Sequence, residues 1–277
     1  MIEVENISKS FPDKQVLYDV SAKFEKGKTN LIIGQSGSGK TVLLKTIVGL
    51  HEADKGEIIF DFEPYSEMKA RQKKKLRQEI GMVFQGGALF DSLTILENIM
   101  FPLDMFTKKT RKEKLERARF CLERVNLKNV EKLFPAEISG GMQKRTAIAR
   151  AIVLNPKYLF FDEPNSGLDP KTSLVIDQLI KEITEEYNIT TIINTHDMNS
   201  VMEIGEKIIF IYQGRKAWEG TRHEIFQSTC EELNDFIFAS ELFKKVRSSV
   251  LNQMDEKRFM PGWMKKENDS LRIKEQE

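Results

Sequence analysis

Gly34-Gln35-Ser36-Gly37-Ser38-Gly39-Lys40-Thr41 decides the reading of this chain, because it satisfies the phosphate-loop pattern G-x-x-x-x-G-K-[ST] at every fixed position. Upstream, Thr29 to Ile33 is a short β-branched apolar run that reads as a buried strand. Downstream, Thr41 to Leu50 spaces its apolar residues as a helix does. Strand, glycine loop and helix start in that order make a phosphate cradle, built from Gly34, Ser36, Gly37, Ser38 and Gly39. Its backbone N–H groups turn toward an anion at the positive end of the following helix. That helix end contributes only about 0.3–1 kcal/mol when exposed and up to about 2 when partly buried, too little to hold a triphosphate. Lys40 must therefore supply a full charge to the β/γ-phosphates, and the Thr41 hydroxyl a ligand for Mg²⁺.

Bulk properties narrow the class. The 277 residues suffice for one large domain or two small ones. Lys+Arg 43 against Asp+Glu 42 leaves a net charge of +1, so no global field draws the chain to nucleic acid or anionic lipid, and no nucleic-acid partner is expected. Cys121 and Cys230 stand far apart without metal spacing, which suits reduced thiols in a cytosolic protein. No signal-peptide layout is present, and no apolar run approaches the ~20 residues that span a bilayer. If membranes matter, another polypeptide crosses them.

Around the loop, Ile2 to Ile7 and Val16 to Phe24 alternate in polarity about a turn at Pro12-Asp13 and read as an antiparallel hairpin. Phe11, between them, reads on its own as a half-buried strand aromatic. Gly56 to Phe62 predicts a strand, Tyr65 to Gln78 a polar helix whose basic run from Lys69 to Arg77 reads as a solvated face, and Ile80 to Phe84 a buried strand ending at Gln85. From Thr94, a candidate cap, to about Leu127 the chain reads as helical, with Leu115, Ala118, Leu122 and Val125 on one stripe. Residues 86–140 thus form an inserted helical subdomain.

Ser139-Gly140-Gly141 then precedes an apolar-periodic helix. The motif fits either a second phosphate-facing helix start or a plain cap with glycines for close packing. Tyr158 to Glu163 is an apolar strand ending in two carboxylates, which is costly unless a cation or water waits there. Asp162 suits Mg²⁺, and Glu163 suits activation of the water that attacks the γ-phosphate. A tight loop containing Asp169 leads to a helix over residues 171–187, with Leu174, Ile176, Leu179, Ile180 and Ile183 expected inward. The strand Thr190 to Thr195 ends at His196, at the sheet edge where ligands bind in doubly wound folds. Lys207 to Tyr212 and Lys216 to Glu219 flank a turn, Thr221 to Gln227 is expected to begin a helix, and Leu233, Phe236, Ile237 and Leu242 let the tail pack before charge dominates after Asn252.

In this order, the loop at 34–41, Gln85, Ser139 to Gly141, Asp162-Glu163, Asp169 and His196 closely resemble the ATPase subunits of ABC transporters over about residues 1–225. The resemblance implies an α/β fold: a mostly parallel P-loop NTPase sheet with an N-terminal antiparallel β-subdomain and an inserted helical subdomain. An ATPase domain would occupy residues 1–228 and a helical extension residues 229–277. It implies ATP and Mg²⁺ as ligands, Phe11 stacking on adenine, Gln85 sensing the metal and the transmembrane partner, and Asp162 holding Mg²⁺ through water. Glu163 would be the general base and His196 the γ-phosphate switch. Ser139, Gly140 and Gly141 would reach the nucleotide of a second copy, so hydrolysis would need a head-to-tail homodimer, and Asp169 would also bind the nucleotide.

Phe84-Gln-Gly-Gly-Ala-Leu-Phe-Asp-Ser-Leu-Thr94 and Met142 further resemble the MCE/Mla branch that moves phospholipid in bacterial envelopes. That branch implies a permease, an MCE-domain protein and a peripheral place on the cytoplasmic side of the inner membrane. An importer for another solute, or a non-transporting envelope regulator, is the alternative. Asn165 departs from the Thr usual after Asp-Glu-Pro in the family. Ile95 to Phe101 reads either as a permease docking helix or as subdomain core.

Overall fold

A computed structural model describes residues 1–239, 243–245 and 247–249. Residues Met1–Arg222 form one compact unit and His223–Glu277 a second. In the first, β1 (Ile2–Phe11), β2 (Lys14–Phe24), β4 (Lys55–Phe60) and the two-residue β5 (Glu63–Pro64) make an antiparallel sheet in the order β2-β1-β4-β5. The larger sheet runs β10-β9-β3-β8-β7-β6, from β3 (Thr29–Ile33), β6 (Ile80–Val83), β7 (Tyr158–Asp162), β8 (Thr190–Thr195), β9 (Lys207–Tyr212) and β10 (Arg215–Gly220). Its strands are parallel except β10, which folds back on β9. The fold is thus the expected α/β class. Every residue of β3, β7 and β8 is buried, as a parallel sheet covered on both faces requires.

Helix α1 (Lys40–Val48) follows the glycine loop and packs Leu43, Leu44 and Ile47 into a core shared with Ile2, Leu17, Phe24, Phe60 and Phe160. Between β6 and β7 the chain forms α3 (Ile95–Phe106), α4 (Arg111–Arg124) and α5 (Gly140–Ile152), which pack on one another as the inserted subdomain. Thr94 caps α3, as expected, with Glu97 completing a capping box. The stretch from Thr94 to Leu127 is helical as expected and divides into two helices, because Thr110 and Glu113 build a second capping box that starts α4.

Other boundaries move for local reasons. Helix α2 (Ala70–Gln78) begins five residues after Tyr65, where Lys69 is the cap, and its basic residues stand on a solvated face as read. Strand β4 stops at Phe60 because Asp61 and Phe62 both take positive φ. Leu174, expected inward on α6 (Pro170–Glu186), is 47% exposed, while Ile176, Leu179, Ile180 and Ile183 are buried. Helix α7 (Met198–Ile204) follows β8.

In the second unit the helix expected over residues 221–227 is a single 3₁₀ turn, Glu224–Gln227, followed by α8 (Glu231–Ile237). Phe226 and Phe238 pack there with ring centroids 6.1 Å apart, and the Arg247 guanidinium lies 4.6 Å from the Phe238 ring. Leu242 and the charged stretch after Asn252 lie outside the described residues. Among the described residues, no helix is long and apolar enough to cross a membrane.

Candidate active site

Strands β3, β8 and β7 are adjacent and parallel, so the loop after β3, Asp162 at the end of β7 and His196 after β8 meet at one sheet edge. This is the edge at which open α/β sheets bind ligands. The loop closes tightly on β9: a Cβ added to Gly34 would lie 2.3 Å from the Ile211 carbonyl oxygen, and φ is +148° there, so only glycine fits.

On one side of the site, the Thr41 hydroxyl donates to Asp162 Oδ1 at 3.0 Å. Asn194 Nδ2, from the end of β8, donates to the same carboxylate oxygen at 2.7 Å and to Thr41 Oγ1 at 3.0 Å. Asp162 is 6% exposed and Asn194 wholly buried. Lys40 Nζ donates to the carbonyls of Gly34 at 2.8 Å and Gln35 at 2.9 Å. Burial pushes the Lys40 ammonium below the ordinary lysine range, against the pull of the Glu163 and Asp162 carboxylates.

On the other side stands Glu163, whose φ of +49° is a left-handed conformation unfavourable for a side-chain-bearing residue. Its backbone N–H donates to the Asn194 carbonyl at 2.9 Å, which holds that conformation. One carboxylate oxygen accepts from Gln85 Nε2 at 3.0 Å, and the other lies 3.1 Å from His196 Nδ1. Gln85 also donates to Ser166 Oγ at 3.1 Å. Glu163, Ser166, Gly167 and His196 line a cleft of ≈ 390 Å³.

These residues fit a nucleotide with Mg²⁺. Among the described residues, the buried side-chain oxygens without a hydrogen-bond partner include Ser38 Oγ in the loop and Asn194 Oδ1 beside Asp162, the kind of orphan that a ligand or ordered water satisfies. A hydroxyl and a carboxylate are the sparse hard-oxygen set that Mg²⁺ takes alongside phosphates. A second cleft, of ≈ 710 Å³, runs beside the loop and is lined by Ser36, Gly37, Ser38, Lys14, Gln15 and Tyr18. Phe11 does not line this cleft but is paired across the hairpin with Lys14, which does. It is 38% exposed, with its ring edge-on to His51 at 5.4 Å.

Thr41 and Asp162 are therefore in direct contact, as are Gln85, Glu163 and His196, with Gln85 on Glu163 rather than on Thr41 or Asp162, while Lys40 is bonded to the loop carbonyls. Ser139, Gly140, Gly141 and Asp169 stand apart from them. Ser139 caps α5, accepting from the Met142 N–H at 3.3 Å, and both Ser139 and Gly140 are exposed. Asp169 caps α6 through the Thr172 N–H. The two helix starts abut: a Cβ on Gly141 would fall 2.6 Å from Thr172 Cγ2.

Sequence reasoning missed three elements. Asn194 sits inside an apolar strand, and its signal was a fully polar side chain two residues before His196. Asn165, noted only as a departure, donates to Asp177 Oδ1 at 2.8 Å and to Ser200 Oγ at 3.0 Å, tying the loop after Glu163 to α6 and α7. Lys144 is 7% exposed and donates to the Gln85 carbonyl; its place in the polar run Gln143-Lys144-Arg145 did not mark it as buried.

Residues 17–166 match the family model described as ABC transporter. The chain is 35% identical over 257 residues to a methionine import ATP-binding protein of Campylobacter jejuni, covering 87% of this chain and 76% of that one. It is 37% identical over 228 residues to the intermembrane phospholipid transport system ATP-binding protein of Haemophilus influenzae, covering 82% and 86%. A glutamine transport ATP-binding protein of Escherichia coli is 38% identical over 240 residues, covering 86% and 98%. Among solved structures, a dimeric ATP-binding cassette in a post-hydrolysis state with ADP and Pi superposes with a TM-score of 0.73 at 33% identity, covering 80% of this chain and 98% of that one.

Proposed function

Since this chain belongs to the ABC transporter family and, as such, hydrolyses ATP with Mg²⁺, we propose that it powers a permease moving phospholipid across a bacterial envelope. The observation that carries the catalytic part is the clamp on Glu163: Gln85 on one carboxylate oxygen and His196 on the other. A carboxylate has about four lone-pair directions, so both contacts leave acceptor capacity for a water. Glu163 is the general base that takes that water's proton as its oxygen attacks the γ-phosphorus and the bond to the β,γ-bridging oxygen breaks, with ADP leaving, and Gln85 and His196 fix the carboxylate's orientation. Thr41 and Asp162 would hold Mg²⁺, which would neutralise charge on the phosphates. Lys40 exchanges its two carbonyl acceptors for phosphate oxygens, and Phe11 stacks on the base.

Ser139 and Gly140 are exposed at a helix N-terminus and, with Gly141, serve the nucleotide of a second copy, with Asp169 beside them. The dimeric relative supports this reading. The apolar side chains left exposed on α3, Phe101, Met105 and Phe106, fit a permease docking surface on the cytoplasmic side of the inner membrane.

Support for phospholipid as cargo is the Haemophilus relative together with the stretch from Phe84 to Thr94 and Met142. The methionine and glutamine relatives support the second reading, an importer for a polar solute. Purifying the complex from its native membrane and identifying its proteins and lipids tests the choice. A permease with an MCE-domain protein and bound phospholipid is expected; a soluble amino-acid-binding protein in their place would reject the lipid reading.

A further inference from the structure

Lys144 has no place in the mechanism above, yet it occupies a costly position. Its side chain is 7% exposed, and burial lowers its affinity for a proton, opposed by attraction to the Glu163 carboxylate. Among the described residues its hydrogen-bond acceptor is one neutral group, the carbonyl oxygen of Gln85. A buried ammonium with so few partners is expensive, and replacing such a charge by an apolar side chain of similar size is often neutral or stabilising. Folding alone therefore gives little reason for lysine here.

The geometry gives a functional reason. Lys144 lies on α5, the helix that opens at Ser139. Six residues on, Arg150 donates to the carbonyls of Gly87 at 2.6 Å and Ala88 at 2.7 Å. Two cations on one helix thus hold three of the four carbonyls from Gln85 to Ala88. The side chain of the first of these residues is the one that orients Glu163.

We propose that Lys144 is a positioning residue for hydrolysis: by anchoring the Gln85 backbone to α5, it sets the Gln85 amide against Glu163. This ties the helix bearing Ser139 to the group that activates water in the same chain. The inference rests on the reading of Glu163 as the base.

The test is steady-state Mg-ATPase of the full chain with unfolding midpoints alongside. Lys144→Met is expected to keep its midpoint and its KM within about twofold while kcat falls roughly 10- to 100-fold, the scale of a small misplacement at a reacting centre. Lys144→Arg, which restores a donor, recovers kcat to within about threefold of the parent. In a Gln85→Ala background, adding Lys144→Met costs less than about twofold more, because the anchored side chain is already gone. A Lys144→Met enzyme at the parent kcat overturns the proposal, as does a loss that multiplies in full onto Gln85→Ala. So does a fall in kcat that tracks a fall in midpoint and resists Lys144→Arg. Glu163→Gln run alongside separates the two readings: if it retains turnover, the base assignment fails and this inference with it. If it is inactive while Lys144→Met is not, only the role of Lys144 is lost.

Discussion

Asn194→Leu is the substitution that probes the metal-side cluster most sharply. Leucine keeps asparagine's branched four-atom side-chain skeleton but is bulkier, so at this wholly buried site the amide's donors are lost and any overpacking cost is shared by the variants compared below. Two hydrogen bonds go: one to the Asp162 carboxylate at 2.7 Å and one to the Thr41 hydroxyl at 3.0 Å. A bond to a charged group is worth about 1.5–3 kcal/mol and a neutral one about 1. The Asp162 carboxylate is 6% exposed, so water replaces little of what is lost. The expected destabilisation without Mg²⁺ is about 3 kcal/mol, a fall in Tm of roughly 6–12 °C for a chain of this size. Mg-ATP should narrow the gap, because the cation gives Asp162 a new partner. Denaturant unfolding with and without Mg-ATP, repeated in an Asp162→Asn background, measures both effects. In that background the charge is gone and the cost of Asn194→Leu should shrink to about 1 kcal/mol. An equal cost with aspartate and asparagine at 162 would refute the reasoning, since the donor would then not be serving the charge.

Asp177 is buried, and burial pushes its carboxyl up to about 6, helped by Asp197 and Glu203 and opposed by hydrogen bonds from Ser200 and Asn165. A folded pKa above the ordinary 3.8 means stability is fullest below that value and is lost as pH rises through about 6, by about 3 kcal/mol in total. Asp177→Asn should remove this slope, so urea midpoints of the variant gain on the parent between about pH 4.5 and pH 7.5; parallel curves would contradict the assignment. Gly141→Ala should cost about 1–3 kcal/mol through the 2.6 Å approach to Thr172 Cγ2. Thr172→Ser, which deletes that methyl and keeps the hydroxyl bonded to Asp169, should return most of the loss in thermal melts.

The phosphate loop, the acidic strand end and His196 were legible because their chemistry dictates residue type: a glycine under the Ile211 carbonyl, a lysine among phosphates, a carboxylate after a buried strand. The sheet was legible for a related reason, since strands covered on both faces carry short apolar and β-branched runs. What stayed hidden depends on which side of a segment faces inward. Asn194 and Lys144 are polar side chains that burial converts into connectors, and one-dimensional spacing does not separate them from Leu174, an apolar side chain left in solvent. The division between α3 and α4 was written in the Thr110 and Glu113 capping box.

Turnover by Glu163→Gln tests most directly the claim that this carboxylate, clamped by Gln85 and His196, activates the attacking water. Single-turnover hydrolysis is measured alongside ATP-dependent association of the full chain. The expected result is a rate lower by about 10²–10⁴, with ATP still bound and a dimer accumulating. Hydrolysis at the parent rate would contradict it.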